Sequence, residues 1–407
     1  MTFSQPDRRT FLRTALGVGA AYLVGCNNKT VESPPVAVGF DGSGMLPGTN
    51  LKEPLAGGQF LSPVPFFGEG MAPIGKKRKQ GHDARLCLDL ASLIEPETRV
   101  TPNDKFYIRT EDPDLLERKG PWKIGIGEFV AEEKVLKLDD LLPHVTSQGT
   151  TLLECAGNAL DLSFGLLSVA HWSGVPIEKV FDIAKPTDKA KRVLFTGFDE
   201  RTTKSTHSMP GASWIFTFDD LVKAKAYLAT EMNGEPLPPD HGDPIRLIVP
   251  NWYGCCDIKW LTSIYFVGDD ERATGQMIEF AQRTHQEGKP TMAKEFAPAT
   301  LDLSAIPVAI EKWRVGEKLA YRVLGISWGG DKPSDKLQIR FGPGEDWTNV
   351  DAQTPQLPDL PFGIWCHKWE PTRTGYYTVE MKVDDPSIRT RRLDMGYYER
   401  RVAIMEV

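Results

Sequence analysis

The alternation of apolar and polar positions divides the chain into stretches of different character. Residues 27–75 show little periodicity and are rich in Gly, Pro and Ser, which predicts a tether and a loop-rich lead-in. From residue 94 a globular pattern begins, first turn-rich through 95–104. Phe106-Tyr107-Ile108-Arg109 predicts a strand ending in a cation, and Trp122-Lys123-Ile124-Gly125-Ile126 alternates like a half-buried strand. Residues 138–142 predict a short helical piece, and Gly174-Val175-Pro176 opens a helix with proline in its first turn. Residues 192–198 predict a strand that delivers Asp199 to a loop, with further apolar runs at 224–231, 245–249 and 258–267. Strands mixed with short helices and many loops predict an α+β domain.

Between 270 and 300 the pattern becomes polar and mixed, and after Ile306 it turns β-like. Alternating runs at 319–328, 337–341, 364–369, 375–383 and 401–404, separated by Gly/Pro turns, predict a small β-sandwich. No internal repeat of solenoid type is present. The boundaries implied are 1–26 for a signal, 27–90 for the loop-rich segment, 91–285 for the first domain and 286–407 for the second.

The N-terminus changes the picture most. Asp7-Arg8-Arg9-Thr10-Phe11-Leu12-Arg13 is a twin-arginine signature, and the apolar run after it is too short to span a bilayer. Leu23-Val24-Gly25-Cys26 has the form of a lipoprotein cleavage box, which would make Cys26 a lipidated membrane tether; the alternative is a plain signal peptide. The expectation is therefore a periplasmic, exported protein. The net charge of −7 argues against nucleic acid as a partner. The six cysteines have neither zinc nor haem spacing, and adjacent Cys255 and Cys256 are expected to be packing residues. Lys76-Lys77-Arg78-Lys79 is expected to be a solvated face.

The chemistry centres on 152–158, where a strand-like run stops at Cys155, followed by Ala156-Gly157-Asn158. A thiol at a strand end beside a glycine turn is accessible to a soft metal or an electrophile. Taken alone it is more often a small buried hydrophobe. A second segment runs from Met232-Asn233-Gly234 through Leu237-Pro238-Pro239-Asp240-His241-Gly242-Asp243-Pro244-Ile245-Arg246, then Val249-Pro250, then Gly254 and Lys259-Trp260-Leu261. Trp172-Ser173-Gly174-Val175-Pro176 lies between the two.

With these three motifs in order, the chain resembles the sulfite oxidase family of molybdenum enzymes. The resemblance implies a molybdopterin-binding domain followed by an immunoglobulin-like dimerisation domain, and hence a homodimer. It implies molybdenum-molybdopterin as cofactor, with Cys155 as the metal's protein ligand. His241, Arg246 and Lys259 fall at cofactor-binding positions, Gly254 permits close backbone approach, and Asp199 matches a cofactor-contacting aspartate. Arg109 matches a substrate-pocket arginine and Trp172 a tryptophan near that pocket. Taken alone, these would be surface charges, a turn histidine and a core aromatic.

The departures concern the pocket. Ala159 and Leu160 stand where sulfite oxidases carry two arginines, and Glu111 where the family often has a histidine. Residues 274–288 hold no tyrosine where the family has an active-site phenol, with Phe280 nearest by count. A buried dianion needs paired charge, so this pocket is expected to hold sulfite poorly. The reading is therefore oxygen-atom transfer on a small, neutral or weakly charged substrate such as an S-oxide. Electrons would pass through a separate carrier such as a c-type cytochrome or quinone-linked protein. The alternatives are a sulfite dehydrogenase with a remodelled pocket, using C-terminal arginines among Arg389, Arg391, Arg392, Arg400 and Arg401, and a non-catalytic tethered lipoprotein.

Overall fold

The computed structural model describes residues 54–70, 72–78, 84–112, 116, 120–198, 212–356 and 359–407. The twin-arginine segment, Cys26 and Asp199 lie outside the described residues. Four five-stranded sheets carry most of the regular structure, and the α-helices are single or double turns.

The first sheet runs Glu235–Pro236, Tyr227–Met232, Leu167–Pro176, Thr146–Glu154, with Arg246–Ile248 also paired to Tyr227–Met232. All its pairings are antiparallel. The strand Thr146–Glu154 is buried over its last five residues, so it enters the core as it approaches the thiol. The second sheet runs Lys134–Lys137, Lys123–Glu128, Leu261–Val267, Arg192–Gly197, Ser213–Thr217, with one parallel pair in its middle. Helix Ile177–Ala184 starts after Pro176, buries Ile177, Val180 and Ala184 on one face, and ends at left-handed Lys185. Helix Phe218–Lys223 is capped by Thr217, whose hydroxyl accepts from Asp220 N.

In the C-terminal part, one sheet runs Gln59–Pro63, Ser304–Val315, Lys318–Trp328, Phe362–Trp369, Ala352–Gln353. The other runs Thr348–Asn349, Leu337–Arg340, Gly375–Val383, Arg400–Ile404, Phe66–Phe67. The two sheets meet through Trp369, which stacks on Phe341 at 4.1 Å and packs edge-on against Tyr377 at 4.8 Å.

Two expectations are corrected. The segment 106–109 is not a strand: it follows a turn in which Phe106 N donates to Pro102 O, and Ile108 makes only an isolated bridge to Leu86. Both Phe106 and Ile108 are buried, so the apolar run reflects burial of a folded-back loop. The lead-in is not loop throughout, because Gln59–Pro63 and Phe66–Phe67 each close the edge of a C-terminal sheet.

A buried ion pair anchors this lead-in. Arg400 donates to both oxygens of Glu69 at 2.6 Å and to Pro307 O at 2.9 Å, under the Phe66 ring. Both side chains are 8% exposed. Glu69→Ala would strand the guanidinium, and is expected to cost roughly 3–5 kcal/mol in urea unfolding. A loss under about 1 kcal/mol, the scale of exposed pairs, would refute the pairing.

Candidate active site

The thiol strand ends at Glu154, and Cys155 begins a tight turn. Cys155 N donates to Leu166 O at 3.0 Å, Asn158 N donates back to Cys155 O at 2.9 Å, and Leu166 N donates to Asn158 Oδ1 at 3.0 Å. The turn leaves Sγ facing a cavity and accepting from Gly157 N at 3.3 Å. Burial pushes the thiol's pKa up, opposed by Arg109, the Gly157 N–H and Arg85. The sulfur is thus a protonated thiol until a cation displaces the proton.

Six of the residues singled out in the sequence line this one cavity: Arg109, Cys155, His241, Arg246, Gly254 and Lys259. His241 sits in the turn Pro239–His241, where its Nε2 lies 3.2 Å from Asn103 O and Phe106 packs edge-on at 5.3 Å. Burial, Lys259 and Arg246 lower its pKa to about 3. The ring is therefore neutral, with Nε2–H donating to the carbonyl and Nδ1 left as an acceptor. Arg246 donates from Nη1 to His241 O at 2.9 Å and from Nη2 to Asp257 O at 3.4 Å. Lys259 Nζ donates to Thr110 O at 2.5 Å and Asp240 O at 2.8 Å, and lies over the Trp260 ring.

Trp172 does not line the cavity. It is buried behind it, 5.6 Å beneath the Arg246 guanidinium and edge-on to Phe106, so its place is to support the cation. The position of Asp199 is outside the described residues.

The structure brings further residues to the site. Tyr107 lines the cavity, its hydroxyl 2.7 Å from where a Cβ on Gly254 would stand. Its phenol fills the cradle that Gly254 leaves. Phe280, the aromatic nearest by count to the missing phenol, also lines the cavity. Arg283, just past helix Gly275–Phe280, brings Nη1 within 3.2 Å of a would-be Cβ on Gly157, which itself would lie 3.7 Å from Cys155 Sγ. A guanidinium thus stands beside the thiol turn although Ala159 and Leu160 carry none. Lys77, expected on a solvated face, pairs with Asp240 at 2.8 Å and with Glu111 at 3.5 Å at the cavity rim. Glu111 therefore serves a rim ion pair.

Cys255 and Cys256 are free, with sulfurs 4.0 Å apart, as expected of packing residues; Cys255 also reaches the cavity.

The cavity fits a large anionic ligand with polar edges. Arg246 Nε and Asp257 Oδ2 are buried with no protein partner, one an N–H donor and the other a carboxyl oxygen, both left open. Arg109, Arg246 and Lys259 supply positive charge, and the cavity offers the metal a soft thiol. Among the described residues no group of three or more His, Cys, Asp and Glu could hold a metal ion.

Asp257 Oδ1 accepts from Val249 N at 2.7 Å. Burial raises its pKa to about 7, against the pull of Arg246 and the Val249 N–H. The folded chain holds this proton where the unfolded chain has released it. Its contribution to stability therefore falls as pH rises from about 4 to about 7. His241 has the opposite slope, losing stability as pH falls from 6.5 to about 3. Asp257→Asn in the metal-free protein should remove the first slope alone. Its advantage over wild type in urea unfolding should grow by on the order of 2 kcal/mol from pH 5 to pH 8. An advantage that does not change with pH would show that Asp257 titrates normally.

Comparison with known proteins finds relatives of the domain that carries this cavity. Residues 111–274 match the family described as "Oxidoreductase molybdopterin binding domain". The mitochondrial sulfite oxidase of Drosophila melanogaster is 28% identical over 326 residues, covering 74% of this chain and 55% of that protein. The mitochondrial sulfite oxidase of Homo sapiens is 27% identical over 270 residues, covering 62% of this chain and 49% of that one. A nitrate reductase [NADPH] of Fusarium oxysporum is 28% identical over 299 residues, covering 66% and 32%. The chain thus spans about half the length of the sulfite oxidases it matches. The sulfane dehydrogenase SoxCD of Paracoccus pantotrophus shares the fold, with a TM-score of 0.57 over 90% of each chain at 16% identity. The matched domain implies the molybdenum cofactor, and together with the sulfite oxidase relatives it supports the sulfite oxidase family of molybdopterin-dependent oxidoreductases for this chain.

Proposed function

We propose that the chain performs oxygen-atom transfer on a small sulfur-centred substrate, exchanging electrons with a separate carrier such as a c-type cytochrome or quinone-linked protein. The carrying observation is the placement of Cys155 on one cavity with Arg109, His241, Arg246 and Lys259. When bound, the cofactor would supply the two-electron redox centre and the oxo group. Cys155 would give its thiolate to the metal. Arg246, Lys259 and the neutral His241 would hold the cofactor's anionic and polar edges, with Arg246 Nε and Asp257 Oδ2 open for further bonds. Arg109 and Tyr107 face the same space and would orient the substrate.

The first reading is oxygen-atom transfer on a neutral or weakly charged substrate such as an S-oxide, in either direction, because the pocket lacks the motif's arginines and the phenol. A second reading, oxidation of a small sulfur oxyanion, is favoured by Arg283, whose guanidinium stands beside Gly157. It supplies the kind of cation that Ala159 and Leu160 lack.

Export through the twin-arginine pathway, a lipid tether at Cys26 and an immunoglobulin-like homodimerising C-terminal domain belong to the same proposal. Their support is the Arg8-Arg9 signature, the cysteine after Leu23-Val24-Gly25, and the paired C-terminal sheets.

Protein from a host competent in cofactor synthesis is expected to carry molybdenum. Cys155→Ser should lose at least the roughly 10–100-fold that follows disruption of a ligand's outer partners. Wild type without molybdenum would sink the enzyme reading and leave a non-catalytic tethered lipoprotein. With an artificial electron carrier, Arg283→Ala should raise KM for sulfite by roughly 10–100-fold, the worth of one charged hydrogen bond. Turnover of methionine sulfoxide unaffected by Arg283→Ala, with none of sulfite, would return the proposal to S-oxide reduction.

A further inference from the structure

The turn that carries Cys155 is gripped from the other half of the molecule. Glu154, the last residue of its strand, is 1% exposed, and Arg392 is 3% exposed. Glu154 Oε1 accepts from Tyr398 hydroxyl at 2.6 Å, Arg392 Nη1 at 3.1 Å and Asn158 Nδ2 at 3.3 Å, while Oε2 accepts from Trp328 Nε1 at 3.0 Å. Arg392 also reaches past the cysteine, donating from Nη2 to Ala156 O at 3.0 Å and to Arg283 O at 3.3 Å. Its guanidinium lies 4.4 Å from the Tyr253 ring centre and 4.8 Å from that of Tyr397. The Tyr397 hydroxyl donates to Asn158 O.

We propose that Glu154, Arg392, Tyr398 and Trp328 form a positioning device for the metal ligand, through which docking of the C-terminal part sets the direction of the Cys155 thiol. The proposal rests on the molybdenum reading above. Arg392 bonds the residue before the cysteine and the residue after it. The peptide on either side of Cys155 is thereby fixed, and with it the Cα–Cβ bond. A metal ligand works only within a narrow range of position and angle, which a supporting shell must enforce.

Glu154 and Arg392 pair at 3.1 Å, so the network that grips the turn carries no uncompensated charge. None of the four residues lines the cavity, so their influence on the reaction passes through Cys155. An apolar pair of similar volume would pack these halves as well, so stability alone does not account for a buried ion pair at this place.

Two variants test this in the molybdenum-loaded protein. Glu154→Gln keeps the shape and removes the charge, and Trp328→Phe keeps most of the ring volume and removes one donor. Both should fold cooperatively and retain molybdenum. Both should show altered Mo–S scattering in Mo K-edge X-ray absorption. With whichever of sulfite and methionine sulfoxide the wild type turns over, kcat should fall by roughly 10-fold or more while KM changes by less than about 3-fold. Loaded variants with wild-type spectra and kcat but a lower melting temperature would make the network a structural tie only, and overturn the proposal. Absence of molybdenum from the wild type would instead overturn the reading beneath it, and this proposal with it.

Discussion

A buried carboxylate must be compensated, and apart from the nearby Asn158 amide the partners that compensate Glu154 lie far along the chain. Its fellow strand residues can offer backbone groups to their sheet, but no cation. The guanidinium of Arg392, the phenol of Tyr398 and the indole of Trp328 all come from the C-terminal part. Leaving such a charge unpaired in the interior costs several kcal/mol, so the two parts of the molecule dock in one relative position or leave that charge exposed. Much of the surrounding structure follows from this. The Arg389 and Arg391 side chains converge on the fully buried Asp302 at the same junction, and Tyr253, Tyr397 and Tyr398 pack around Arg392.

The cavity wall is electrostatically unfinished in the opposite sense. His241 is held neutral and Arg246 has its pKa lowered, each chiefly by burial. The Cys155 thiol is held protonated mainly by burial as well. Such a surface gains from an anion that brings phosphate and sulfur with it, because each of these groups then meets an opposite charge or a missing hydrogen bond. The protein fixes donors and cations in advance, and the bound group supplies the complementary charge.

Short-range pattern made much of this legible. The Cys155 turn, the 232–261 segment and their order in the chain were visible as motifs, and the alternating runs at 319–328 and 375–383 correspond to strands Lys318–Trp328 and Gly375–Val383. Tyr107 and Arg283 were not singled out because their role depends on what faces them: Gly254 for the first, Gly157 for the second, each far away in sequence. The partnership of Glu154 with Arg392 spans 238 positions, which no local periodicity encodes. The segment 106–109 failed as a strand because an apolar run reports burial before it reports backbone conformation. Strand Gln59–Pro63 was missed for the converse reason, since its ordering comes from Ser304–Val315 and not from its own composition.

The edge strands of the C-terminal sheets carry a consequence for the order of events during synthesis. Gln59–Pro63 and Phe66–Phe67 leave the ribosome early, yet their partners lie at 304–315 and 400–404, at the far end of the chain. Glu69 waits for an arginine 331 residues downstream. Gln59–Pro63 stays unpaired until 304–315 has been made and Phe66–Phe67 until 400–404 has, and closing such long loops is slow compared with local turns. Each C-terminal sheet therefore keeps one bare edge open to foreign strands until its early segment has met a partner made hundreds of residues later.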